Sequence, residues 1–154
     1  AYLVHQTESA QSTEEAINLL RSPTFDPAHS AVVTGLPAIH AQPNPQDSVE
    51  IISYQAERVE LRAKSAEQAL LLLSDAYYPG WRATVDGVES PIYPANHLFR
   101  GLALAAGEHT IVFEFDPSPW RRGLQLSGLG IVLWLVLLLS GLWKRQTMPV
   151  TGVR

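Results

Sequence analysis

Thirteen residues, DAYYPGWRATVDG at positions 75–87, concentrate side chains able to do chemistry. Asp75 and Asp86 offer carboxylates, and Tyr77, Tyr78 and Trp81 offer flat aromatic faces. Shortly downstream stand Asn96, His97 and Arg100. Aromatic rings stack on sugar faces, Asn supplies hydrogen bonds, and a guanidinium holds a phosphate or carboxylate. Tyr77, Tyr78, Trp81, Asn96, His97 and Arg100 are therefore candidate contacts for a glycan or a lipid phosphate. A plainer reading competes with this one. Trp81 and one of Tyr77 or Tyr78 can fill the core or rim of a β-domain, and Arg100 can pair with Asp75 or Asp86 to tie adjacent strands. Two carboxylates can hydrolyse a glycoside, but the Asp86-Gly87 pair is already explained as a hairpin turn.

Other chemistries find no support. His5, His29, His40, His97 and His109 are scattered without metal-ligand spacing, and there is no cysteine, so no metal site is expected. No GxSxG elbow and no glycine-rich phosphate loop occurs. The chain is expected to carry no catalytic residue and no cofactor. All 15 acidic residues lie at or before Asp116, whereas Arg121, Arg122, Lys144, Arg145 and Arg154 follow it. An acidic domain argues against a nucleic-acid partner, which selects a basic face.

The elements that must position these residues are mostly strands. Tyr2–His5 and Ser30–Thr34 are strand candidates, with a helix between them that Ser12 caps and Glu15 supports. Residues 1–35 thus read as a strand-helix-strand segment, and 36–48, with its prolines, as a loop. From 49 to 119 the pattern is β. Val59, Leu61 and Ala63 alternate with charged residues, and Ala69–Leu73 is a continuous apolar run suited to a central strand. Trp81–Val85, Leu98–Leu104 and Thr110–Phe115 complete the set. About seven short strands with turns between them predict a mainly β fold, an antiparallel β-sandwich of immunoglobulin-like or jelly-roll-like type, with one short N-terminal helix.

Residues 124–143 hold no charge, and twenty helical residues span roughly 30 Å, a bilayer's hydrocarbon thickness. A transmembrane helix is expected over 120–145, with Trp120, Arg121, Arg122, Trp143, Lys144 and Arg145 at its interfaces. Gly123, Ser127, Gly130 and Gly141 form a small stripe suited to helix packing. The tail 146–154 is expected on the cytoplasmic side and the β-domain outside.

The stretch from LLLLSDAYYPGW to the C-terminal helix resembles the end of the YfhO-like bacterial membrane proteins. The blocks that carry the resemblance are Asp75 with Tyr77 to Trp81, Asp86-Gly87, Ala95-Asn96, Phe99 to Gly101, Gly107 with His109, and Phe113 to Pro117. The resemblance implies the C-terminal extracytoplasmic module of a multi-pass inner-membrane protein of the GT-C glycosyltransferase type. Such proteins use a polyprenyl-phosphate sugar as donor in cell-envelope glycan or polymer modification. It also implies as partners the lipid bilayer, other transmembrane helices, and the lipid-linked sugar or glycan acceptor. The catalytic acid of that family type lies in an early loop that no position here can inherit, so this chain is expected to be a fragment. The alternative is a stand-alone single-pass anchored β-domain that binds a glycan or a protein partner.

Overall fold

Alternation of apolar and charged side chains builds two sheets. The structure, a computed structural model, describes residues 1–117 and 123–135. Ala1–Asp116 form one unit, and Pro117–Arg154 fall in a second. The first unit runs β1 (Tyr2–Val4), β2 (Gln6–Ala10), α1 (Thr13–Leu20), β3 (Ser30–Thr34), β4 (Ser48–Tyr54), β5 (Arg58–Ser65), β6 (Ala69–Ala76), β7 (Trp81–Val85), β8 (Val88–Ser90), β9 (Tyr93–Ala95), β10 (Phe99–Leu104) and β11 (Gly107–Phe115).

The five-stranded sheet has the order β4-β5-β11-β7-β8 and is antiparallel throughout. Val59, Leu61 and Ala63 of β5 point inward beside Ile111 and Phe113 of β11 and Ala83 of β7. Arg58, Arg62, Glu108 and Glu114 lie outward, where Arg58–Glu114 at 3.6 Å and Arg62–Glu108 at 3.8 Å are exposed pairs, each contributing at most about 1 kcal/mol.

The six-stranded sheet has the order β1-β6-β10-β9-β3-β2. Its strand β6 is covered on both faces, which explains the unbroken apolar run. Leu71 and Leu73, with Leu102 and Leu104 of β10, pack against the five-stranded sheet. Leu70 and Leu72 turn the other way, toward Val4, Ala31, Val33, Ile39 and Ala95. Burying each leucine fully contributes about 1.5–3 kcal/mol relative to exposure.

Two expectations about fold class are corrected. The larger sheet is not antiparallel throughout: β2 and β3 are parallel, from Gln6↔Ser30 to Ala10↔Thr34. A parallel pair needs a crossover, and α1 supplies it. Ser12 Oγ accepts from the Glu15 amide at 3.2 Å, and the Glu15 carboxylate reaches back to the Gln11 amide at 2.7 Å, which starts the helix. Its Ala16 then packs on Ala10 and Val32.

The transmembrane helix is the second correction. In the second unit the described helix covers 123–135. Thirteen residues rise about 20 Å, short of the roughly 30 Å hydrocarbon core. Among the described residues no helix is long and apolar enough to cross a membrane.

A single residue, His5, separates β1 from β2, although these strands form opposite edges of the six-stranded sheet. Consecutive Cα atoms are only about 3.8 Å apart, so the sheet curls until its edges meet. Residues of the proline-rich stretch finish the seam. Ala41 N–H donates to the His5 carbonyl at 2.9 Å, Thr7 N–H to the Ile39 carbonyl at 2.9 Å, and Ile39 N–H to Thr7 Oγ1 at 2.7 Å. The His5 ring is buried, with Nε2 3.1 Å from both Ser65 Oγ and Asp47 Oδ2. The side chains of Val4, Val33, Leu70 and Leu72 fill the inside of this half-barrel.

Candidate functional site

Arg100 occupies an inward position of β10, on the face shared by Leu102 and Leu104, where an apolar residue would be ordinary. A break in register places its partner. Phe99 pairs with Ala76 but Arg100 pairs with Leu73, so Ser74 and Asp75 bulge out of β6. Bulges re-aim side chains, and this one turns the Asp75 carboxylate to Arg100. Nη2 of Arg100 donates to Asp75 Oδ2 at 3.0 Å. Across the interior, the Arg100 guanidinium lies over the ring of Trp81 at the start of β7, with Cζ 3.9 Å from the ring centroid. Phe113 lies 5.6 Å away. Such cation–π stacking contributes about 0.5–2 kcal/mol. Arg100 is 4% exposed, and its Nε and Nη1 have no hydrogen-bond partner.

The last residue of β4 completes the cluster. Tyr54 OH donates to Asp75 Oδ1 at 2.9 Å and Oδ2 at 3.0 Å. This hydrogen bond holds the Tyr54 phenol above its ordinary pKa, since losing the proton would set two negative charges side by side. Burial pulls the Arg100 pKa down and the neighbouring Asp75 opposes it. The guanidinium nonetheless stays charged, because its ordinary value lies so far above neutrality. Tyr54, Asp75, Tyr78, Trp81 and Arg100 line a cleft of about 360 Å³ at this end of the space between the sheets. Tyr78, 64% exposed, offers an open ring at its mouth.

Of the six sequence candidates, the structure gathers Tyr78, Trp81 and Arg100 around this cleft and sets the others elsewhere. Tyr77 is exposed, and its amide donates to the Leu98 carbonyl at 2.7 Å. Asn96 is a joint between strands: its Oδ1 accepts from the Val32 amide at 2.9 Å while its own amide donates to the Val32 carbonyl at 2.7 Å. His97 is an exposed turn residue, with φ of 67°. Arg100 pairs with Asp75, one of the two partners considered. Asp86 sits at the far end of β7, where it binds His109 Nδ1 at 2.7 Å and the Thr110 amide at 2.8 Å. The two carboxylates therefore do not face one substrate. Tyr54 was missed because it lies 21 positions before Asp75, on a strand whose alternation breaks between Ile51 and Ser53.

Gly123, Ser127 and Gly130 fall in the helix 123–135 and are exposed. Gly141 and the interface candidates Trp120, Arg121, Arg122, Trp143, Lys144 and Arg145 lie outside the described residues. Among the described residues, no three His, Cys, Asp or Glu side chains are grouped to hold a metal ion.

The cleft suits recognition better than reaction. The Asp75 carboxylate already accepts from Tyr54 and Arg100. The arrangement offers an aromatic wall, a fixed cation and a hydroxyl. No curated protein and no solved structure matches the chain. The sequence pattern of the family described as bacterial membrane protein YfhO matches residues 35–127, a range that includes every residue named around the cleft. That match covers more than half of the chain, which therefore belongs to the YfhO family of bacterial membrane proteins.

Proposed function

We propose that this chain is an extracytoplasmic β-module of a bacterial membrane protein that modifies a cell-envelope glycan or polymer with sugar from a polyprenyl-phosphate donor. Its own task is to hold a saccharide, not to transform it. The observation that carries this reading is the cleft in which Trp81 and Tyr78 flank the buried Arg100. Aromatic faces beside a fixed hydrogen-bonding group form a recognition surface for sugars. Family membership supports the bacterial membrane setting.

Two measurements test this reading in cells carrying the full-length protein. Protease added to spheroplasts should cut a site engineered into the exposed β7–β8 turn at Gly87, and failure to cut would place the module inside. Composition analysis of envelope glycans should show a sugar missing when Trp81→Ala replaces the native residue at unchanged protein level. An unaltered composition in both that variant and a deletion strain would refute the glycan role.

A further inference from the structure

Arg100 carries five N–H donors. Its Nη2 meets Asp75 at 3.0 Å, while Nε and Nη1 are closed from water and make no hydrogen bond. Buried polar groups are otherwise satisfied almost without exception, so an unmatched charged donor calls for an acceptor. Among the described residues no acceptor lies within hydrogen-bond reach of Nε or Nη1. Asp75 already takes the Tyr54 hydroxyl on both oxygens and Arg100 on Oδ2. Trp81 and Phe113 present rings, not lone pairs. Gln55, Ala56, Val59 and Ala76 complete the lining, and Tyr78, mostly exposed and outside any strand, stands at the mouth between β6 and β7. It can swing aside without unpacking the core.

We propose that the cleft contains an oxyanion subsite, in which a carboxylate or phosphate group of the ligand enters past Tyr78 and accepts the hydrogen bonds that Arg100 leaves unmade. The proposal rests on the saccharide reading above and narrows it to sugars bearing an acidic group. Trp81 holds the guanidinium plane in place, and Asp75 orients it while keeping the empty cleft close to neutral. Removing the Asp75 charge without changing its shape therefore strengthens anion binding. At a separation of about 6 Å and an effective dielectric near 40, one unit charge changes affinity roughly tenfold.

The test is a titration of the full chain, with ¹⁵N-labelled arginine, followed at the Arg100 Nε–H resonance, which is assigned by its loss in Arg100→Lys. The probes are methyl glucuronide, glucose 1-phosphate, inorganic phosphate and neutral methyl glucoside. The expected result is a saturable shift with one or both acidic sugars. Which of the two binds more tightly separates carboxylate from phosphate. Binding, followed in all three chains by Trp81 indole fluorescence, should be roughly tenfold tighter in Asp75→Asn and lost in Arg100→Lys. Equal saturation by neutral methyl glucoside, read at the Trp81 indole, would overturn the oxyanion subsite and leave saccharide binding standing. Inorganic phosphate binding as tightly as glucose 1-phosphate would uphold the subsite and overturn the saccharide reading. Silence from every probe, in the native chain and in Asp75→Asn, would overturn both. Should Asp75→Asn fail to fold, the native titration decides alone.

Discussion

Arg100→Met should leave the fold nearly as stable as before, whereas Asp75→Ala should damage it. The asymmetry follows from the contacts of the guanidinium. In its favour stand one charge-assisted hydrogen bond, worth about 1.5–3 kcal/mol, and the stack on Trp81, worth about 0.5–2 kcal/mol. Against it stand two buried nitrogens without acceptors, each costing about 1–3 kcal/mol, and the desolvation of a charge that is 4% exposed. The costs match or exceed the gains. Methionine has a similar reach, packs against the same rings and brings no donors, so its substitution should change stability by less than about 1 kcal/mol. Asp75→Ala instead strips the last partner from a buried cation and should cost about 3–5 kcal/mol. The double variant should recover most of that loss, because no buried cation then remains without a partner. Urea unfolding monitored by far-ultraviolet circular dichroism reads all three, with an unchanged m value required for comparison. A loss above about 2 kcal/mol for Arg100→Met, or a neutral Asp75→Ala, would refute this account of the cluster.

Three further outcomes follow from the same geometry. Gly80 has φ of +105°, and an added Cβ would sit 2.8 Å from the Phe115 ring; Gly80→Ala should cost about 2 kcal/mol or more, read by thermal unfolding. Asn96 takes φ of 47° while its side chain holds the Val32 amide; Asn96→Gly should lose about 1 kcal/mol and Asn96→Ala more, since alanine loses the bond and strains the turn, and Val32 amide exchange should accelerate in both. The His109 hydrogen bond, then the Thr110 amide, hold the Asp86 carboxyl below its ordinary pKa. Its folded value is therefore lower than its unfolded one, so the stabilisation is complete above the ordinary carboxylate range near 3.9 and fades as pH falls through the lowered value. Thr110 amide protection should drop on acidification in the native chain, and be low and pH-independent in Asp86→Asn.

The sequence made the parts of the fold that rest on local pattern legible. The alternation in β5, the apolar run of β6, the Asp86-Gly87 hairpin and the Ser12 cap all express local preferences. What escaped it depends on partners distant along the chain. The strand β2, Gln-Thr-Glu-Ser-Ala, has no apolar stripe because it needs only small inward residues beneath α1. Pro94 disguises β9, which tolerates it by making a single residue pairing with β3. In the site, residue types offered Asp75 as one of two partners for Arg100, but the stack on Trp81, the bulge at Asp75 and the approach of Tyr54 depend on how the strands come together. The terminal apolar run shows the opposite failure: composition predicts a length of helix that the described residues do not reach.

The seam at His5 bears on the order of assembly. Because β1 docks on β6, Tyr2 finds Leu72 only after some seventy intervening residues have been made, and closing so long a loop is slow. During synthesis the first stave of the half-barrel must wait while its opposite edge, β2, can already zip to β3. The ring therefore shuts last at the junction of its two earliest strands. A lesion at His5 would not weaken one hydrogen bond alone, but would leave the whole hoop unlatched, with two raw strand edges open to other chains.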